Sequence, residues 1–243
     1  MCGRYVSNRD PAYLSDEFRV TRTPDTILLP DYNVAPTKEV YAVIDREIDG
    51  VPERVLATVR WGLVPSWAKD PSIGNRMINA RLETAADKPS FRRAWARRRA
   101  IVPAAGYYEW HTPVIGPTTG SGRPRKQPYF IHAADDATLA LAGLYELWRD
   151  RSLPDDDPQA WLMTAAILTA PSAGPVAFIH DRMPVIVARE HWDAWLDPNF
   201  SGDPRGLLDP TAAAAQLTAY PVTTAVNSVR NNGPELIAAV PAD

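Results

Sequence analysis

The sequence predicts an α+β fold: one domain, residues 1–243, with a largely antiparallel, barrel-like β-sheet flanked by short helices. Three observations predict it. Strand-like runs outnumber helical ones. They often follow one another with no crossover helix between them, which disfavours a doubly wound parallel sheet. The 24 prolines are spread along the chain, which disfavours long uninterrupted helices.

Asp10 to Phe18 reads as the first helix. Val40 to Ile44 reads as a strand, Asp49-Gly50 as a hairpin turn and Arg54 to Leu63 as the partner strand. Arg81 to Ala86 and Ser90 to Arg98 read as helices. Arg99 to Val102, Gly106 to Trp110, Tyr129 to His132, Thr138 to Trp148 and Trp161 to Thr169 read as strands. Pro171 to Phe178 reads as a helix, Pro184 to Ala188 as a strand and Arg189 to Leu196 as a helix. Pro210 to Leu217 is a helix with Asp209 as N-cap before a proline, and Tyr220 to Thr224 is the last strand. Thr112 to Lys126, rich in Gly, Pro, Ser and Thr, and Asp150 to Asp157 read as surface loops; neither looks like a linker between two cores.

A chain of 243 residues can bury a sizeable core. Hydrophobic residues at 45% and charged residues at 23% are an ordinary globular balance, which excludes disorder as the dominant state. The net charge of -3 excludes a uniformly basic nucleic-acid sponge, though not a local basic patch. Arginine outnumbers lysine 22 to 4; arginine suits bidentate phosphate contacts, but the excess as a whole reads as codon bias. The single cysteine excludes an intramolecular disulfide and a multi-cysteine metal site. His111, His132, His180 and His191 are scattered without metal-protease spacing, so neither a metal nor a cofactor is expected. The first thirty residues are too charged for a secretory signal. No apolar run approaches the roughly 20 residues that span a bilayer. The expectation is a soluble, cytoplasmic protein without a membrane partner.

The start, Met1-Cys2-Gly3-Arg4, is the most informative feature. Methionine is normally removed before a small second residue. The chain would then begin with cysteine, presenting an α-amine and a thiol on adjacent carbons. The amine ordinarily titrates at about 7.7–8.0 and the thiol at about 8.5, so a useful minority of each is nucleophilic near neutrality. Met77 to Thr84 places Asn79 and Arg81 two residues apart where a strand gives way to a helix. Gly106 to Trp110 sets Glu109 inside an aromatic strand, where apolar surroundings raise a carboxyl pKa and suit it to acid–base work. Ile179 to Ile186 sets His180, a natural proton carrier, just before a strand. Taken singly, each has an ordinary alternative: Asn79 as a helix cap, Glu109 as an arginine partner, His180 as a satisfied loop residue.

Together these segments resemble one family. MCGRY, YNVAPT (Tyr32 to Thr37), WGLVPSWA (Trp61 to Ala68), INARLET, GYYEW, KQPYFI (Lys126 to Ile131), AGLYELW (Ala142 to Trp148), IHDRMPVI and VNSVRNNGPELI (Val226 to Ile237) are similar to the SOS response-associated peptidases, the SRAP or abasic site processing family. The likeness runs from residue 2 to residue 237 in the family's order.

The resemblance implies a monomer that binds single-stranded DNA at abasic sites and cross-links itself to them, gathering on the nucleoid after DNA damage. The Cys2 amine would attack the C1′ aldehyde and the thiol would close a thiazolidine. By the same likeness Asn79 orients the amine or a sugar hydroxyl, Glu109 shuttles protons and His180 helps to open the sugar ring. Arg4, Asn33, Pro36, Ser66, Trp67 and Arg81 are the implied DNA-binding residues, with Trp61 and Pro65 as further candidates. Removal of Met1, by the protein itself or by a host aminopeptidase, and weak strand cleavage at the lesion are also implied. The run Phe91 to Arg99 holds five arginines; it is either a phosphate track or a solvated helix face. The insert Thr112 to Arg125 could alter access to the site. Two other readings stand beside this one. A glutamine amidotransferase-like hydrolase would use the Cys2 thiol as nucleophile. A purely non-covalent single-strand-binding module would leave Cys2 incidental.

Overall fold

A computed structural model describes residues 2–113, 122 and 124–241. Most of the Thr112 to Lys126 loop therefore lies outside the described residues. Among the described residues twelve strands form two sheets. In chain order they are β1 (Tyr5–Ser7), β2 (Asp31–Val34), β3 (Glu39–Ile48), β4 (Val51–Trp61), β5 (Asn79–Arg81), β6 (Arg99–Ala104), β7 (Gly106–His111), β8 (Gln127–Ala133), β9 (Leu139–Arg149), β10 (Trp161–Pro171), β11 (Arg182–Pro184) and β12 (Leu217–Pro221). The helices are α1 (Pro11–Phe18), α2 (Arg92–Arg97), α3 (Trp192–Leu196) and α4 (Pro210–Ala214), with short 3-10 turns between. Among the described residues no helix is long and apolar enough to cross a membrane.

The first sheet runs β12-β8-β7-β1-β2 and the second β11-β10-β4-β3-β6-β9. In the second sheet β9 also pairs with β10, so the path β10-β4-β3-β6-β9 returns on itself like a barrel. The pairing is antiparallel except where β10 lies parallel to β4 and β5. This is the expected α+β, barrel-like architecture. The hairpin β3–β4 turns at Asp49-Gly50, both at positive φ, the backbone twist that matches a two-residue hairpin.

Strand alternation distributes the core. Val40, Ala42 and Ile44 face the space between the sheets with Tyr5, Tyr107 and Ile131. Tyr41 and Val43 face the opposite way, toward Phe18, Trp95 and Trp195 of the short helices. Helix α1 starts where Asp10 accepts a hydrogen bond from the Ala12 N–H at 2.7 Å and stops at Arg19, φ 55°. Gly62, at φ 128°, lets the chain after β4 pass close to Gly74; a Cβ there would lie 2.6 Å from the Gly74 oxygen.

Several expected elements differ. Arg81 to Ala86 is not a helix. The Leu82 N–H still donates to the Thr169 carbonyl, as in a sheet, and the chain then breaks into separate turns toward Pro89. Pro171 to Phe178 is not an α-helix either. Strand β10 runs on to Pro171, and Gly174 at φ 61° admits only one 3-10 turn. Strand β11 covers Arg182–Pro184 rather than Pro184 to Ala188, and β12 replaces the end of the helix expected over Pro210 to Leu217. The strand expected at Asn79 and Arg81 is present as β5, whereas β1 and β2 were not expected. Each is three or four residues long, too short for an alternation pattern to show.

Candidate active site

Strand β1 carries the amino-terminal segment into the first sheet, between the edge strand β2 and the central β7. Tyr5 pairs with Tyr107, and the Tyr108 N–H donates to the Arg4 carbonyl at 3.0 Å. An antiparallel register continued toward the start brings Cys2 alongside Glu109 and Trp110. Cys2 is fully buried, in one apolar cluster with Tyr5, Tyr107 and Trp61. Burial, and then the negative charge of Glu109, push its thiol far above the ordinary range, so the sulfur rests protonated at neutral pH.

Asn79 approaches from the second sheet. Its strand, β5, is held parallel to β10 in the register Ile167–Asn79, and the Trp61 Nε1–H donates to the neighbouring Ile78 carbonyl at 2.9 Å. From there Asn79 Nδ2 donates to the Cys2 carbonyl at 2.8 Å. Its Oδ1 is buried without a partner among the described residues, an acceptor open to an incoming donor. Arg81, two residues on, shares that face of β5 and is exposed.

Glu109 is 3% exposed. Burial pushes its carboxyl up to about 7, and the nearby negative charge of Asp181 acts in the same direction. A carboxyl at that value is present in both forms near neutrality and can give or take a proton.

His180 precedes β11. Its Nδ1 accepts from the Arg182 backbone N–H at 3.0 Å, which leaves the proton of the neutral ring on Nε2. Partial burial lowers its pKa and favours that neutral form. Asp181 Oδ1 lies 2.8 Å from the same Nδ1 and pairs with it when the ring is charged. Two contacts fix the loop. His111 Nδ1 donates to the Phe178 carbonyl at 2.8 Å, tying the loop to the strand that carries Glu109. Arg182 spans Glu83 at 2.5 and 3.0 Å and donates to the Thr169 carbonyl at 2.6 Å. Glu83 and Arg182 lie inside two of the quoted motifs but were not singled out. Their opposite charges are visible in the sequence; their meeting across 99 residues is not.

The fold thus brings Cys2, Asn79 and Glu109 together and ties the His180 loop to the same strand. The expected DNA-binding residues are spread more widely. Arg4 Nη1 donates to Asn33 Oδ1 at 2.7 Å and to the Val226 carbonyl at 2.8 Å, and its guanidinium lies 5.9 Å from the Trp110 ring. Asn33 is fully buried, its Nδ2 facing the carbonyls of Val226, Ser228 and Asn231. It brackets Arg4 to the 226–231 segment instead of presenting itself at the surface. Pro36 sits half-buried in a turn that the Thr37 N–H fastens to the Trp61 carbonyl. Trp61 and Pro65 are buried, whereas Ser66 is half-buried and Trp67 is exposed. Of the five arginines from 92 to 99, Arg92, Arg93 and Arg97 are exposed and Arg98 is half-buried. Arg99 is 2% exposed and spends its guanidinium on the carbonyls of Trp95, Ala96 and Trp195. Among the described residues no three His, Cys, Asp or Glu side chains converge as a metal-ligand set.

The family described as SOS response associated peptidase (SRAP) matches residues 1–229. The abasic site processing protein YoqW of Bacillus subtilis is 39% identical over 241 residues, covering 98% of this chain and 99% of that protein. The abasic site processing protein YedK of Escherichia coli is 30% identical over 243 residues, covering 98% and 99%. HMCES of Gallus gallus, also named an abasic site processing protein, is 34% identical over 237 residues, covering 86% and 66%. A crystal structure of a Bacteroides thetaiotaomicron protein superposes with a TM-score of 0.77 over 98% of this chain and all of that one, at 23% identity, a likeness of fold.

Proposed function

The chain belongs to the SOS response-associated peptidase family, and from that premise we propose that it processes abasic sites in single-stranded DNA by covalent capture at Cys2. The observation that carries this reading is the burial of Cys2 beside Glu109 with its main chain held by Asn79. Loss of Met1 is the first requirement, because an acylated amine cannot attack a carbonyl.

The order of events follows from the protonation states. A thiol kept protonated is a poor leading nucleophile, so the α-amine of Cys2 acts first. The ring-opened abasic sugar offers an aldehyde at C1′, and His180 Nε2–H donates to the ring oxygen as the sugar opens. The amine nitrogen bonds to C1′ and gives a carbinolamine. Glu109 takes a proton from the nitrogen and returns one to the departing hydroxyl, which leaves as water and yields an imine. The sulfur then bonds to the imine carbon while the thiol proton passes to the nitrogen, closing a five-membered thiazolidine. Asn79, anchored on the Cys2 carbonyl, keeps the amine pointed at C1′, and its free Oδ1 can accept from a sugar hydroxyl. An imine that loses its C2′ proton before ring closure leads to β-elimination, the source of weak strand cleavage. The protonated thiol favours this amine-led chemistry over a thiol-led amide hydrolysis.

The test mixes protein shown to begin at Cys2 with a single-stranded oligonucleotide bearing one abasic site, beside Cys2→Ala and an intact-base control. The expected result is an adduct that survives denaturation without borohydride, forms only with the unmutated protein on abasic DNA, and has the mass of a thiazolidine. No adduct from such protein would sink the proposal and direct attention to glutamine hydrolysis and then to non-covalent DNA binding.

A further inference from the structure

Two tryptophans stand exposed although most are buried: Trp67 at 57% and Trp161 at 52%. They lie far apart in sequence, one in the loop after β4 and the other at the start of β10. The fold sets both on one cleft of about 530 Å³, together with Arg93, Arg98, Arg149 and Arg151. Arg92 lines an adjoining recess beside Trp67.

Among the described residues no carboxylate lines the cleft itself. Four acids of the neighbouring segments are committed. Glu146, 3% exposed, is paired with Arg98, and Asp155 with Arg149. Asp150 and Asp157 accept from the backbone N–H groups of their own turns, at Ser152 and Gln159. Arg93 and Arg151 are exposed and have no ion pair among the described residues. The cleft therefore offers two aromatic faces beside two guanidinium groups, of Arg93 and Arg151, that are outside any ion pair among the described residues. That combination takes a single nucleic-acid strand: the rings stack on unpaired bases at about 1–3 kcal/mol each, and the arginines meet phosphates. A duplex shows no free base faces along its length.

Strand β10 measures the distance to the covalent centre. It runs from Trp161 at the cleft to Ile167, which is paired with Asn79. Six residues at about 3.3 Å each make a span of about 20 Å. A stacked strand at about 3.4 Å per nucleotide crosses it with about six nucleotides.

We propose that the Trp67–Trp161 cleft is a separate tract for single-stranded DNA that grips intact nucleotides flanking the lesion, without sequence preference. This rests on the abasic-DNA reading of the Cys2 site and extends it. The tract supplies the affinity that a missing base cannot, and it makes capture depend on the length of the flanking strand.

The test uses the full chain and Trp161→Ala/Arg151→Ala, both exposed positions, with Trp161→Phe as the variant that keeps a stacking face. Binding is measured by anisotropy on intact-base single strands about three and about thirty nucleotides long, the shorter unable to fill both sites. Cross-linking is measured on abasic versions of both. The double variant should lose about tenfold in affinity for the long strand and lower the salt slope by about 0.7 for the arginine removed. Its cross-linking of the short strand should match the unmutated protein, and Trp161→Phe should restore most of the affinity. Unchanged affinity and salt slope for the double variant would overturn the tract, as would tighter binding of duplex than of single strands. Failure of the unmutated protein to cross-link any abasic strand would overturn the Cys2 chemistry alone, because the tract is read on intact DNA.

Discussion

Asn79 Nδ2 donates to the main-chain carbonyl of Cys2 at 2.8 Å, joining the two sheets at the residue that carries the amine and thiol. The partners are 77 positions apart in the chain. Asn79→Ala should remove this restraint at a stability cost of about 1 kcal/mol, the usual net value of one hydrogen bond. The rate of cross-linking should fall by about tenfold or more, since a misaligned nucleophile loses effective concentration. Single-turnover kinetics beside a thermal melt separates the two effects.

Cys2→Ser keeps the amine and exchanges sulfur for a poorer ring-closing nucleophile. It should give an adduct that borohydride traps and that reverses without it. Denaturing gels with and without the reductant read the difference directly.

Glu109 makes the chemistry sensitive to pH near 7. The rate of adduct formation should show a limb with an apparent pKa of about 7, and Glu109→Gln should abolish that limb. Stability carries the same signature. The folded carboxyl titrates above its unfolded value of about 4.5, so the folded state holds the extra proton between the two. Its contribution is fully present below pH 4.5 and is lost as pH rises through about 7, on the order of 3 kcal/mol. Glu109→Gln should flatten this part of the stability profile in urea melts from pH 4.5 to 7.5.

The Glu83–Arg182 pair holds the loop of His180 against Thr169. Glu83 is substantially exposed, so Glu83→Gln should cost about 1 kcal/mol of stability or less. Its effect on cross-linking should exceed that on stability. In a double-mutant cycle with His180→Gln the two losses should fail to add, because both act on the position of one imidazole.

Asn33→Ala should damage the fold more than its implied DNA-binding role suggests. It takes the Asn33 donor from the half-buried Ser228 and Asn231 carbonyls and one of their partners from Arg4 and the Val226 carbonyl, which points to a loss of about 2–3 kcal/mol. DNA affinity should fall as well, through release of Arg4 and the 226–231 segment. Equal affinity for the two proteins, measured well below the melting temperature of each, would exclude that coupling.

Long elements were legible because their periodicity repeats often enough to be read. The β3–β4 hairpin, β9 and β10 are examples, each strand ten or eleven residues long. Strand β1 and the pairing of β5 were not legible, although they carry the site: three residues hold no repeat, and their pairing depends on partners far along the chain. The chemistry of the candidate site was legible as residue types, an aminothiol at the start, a carboxyl among aromatics and a histidine before a strand. Trp161 gave only a local sign, a tryptophan opening a strand close after Arg149 and Arg151.

The sequence by itself determined the fold class, the single cysteine at position 2 and the family. Each depends on composition, local order or motif succession, and none needs a contact to be known. Only the tertiary structure decided that Cys2 is buried against Glu109, that Asn33 and Arg99 turn inward, and that Trp67 and Trp161 share a cleft. The physical reason is register. Neighbours two residues apart follow from strand geometry, but contacts across 77 or 193 residues depend on how whole strands align. That alignment is settled by packing the two faces of the sheets at once.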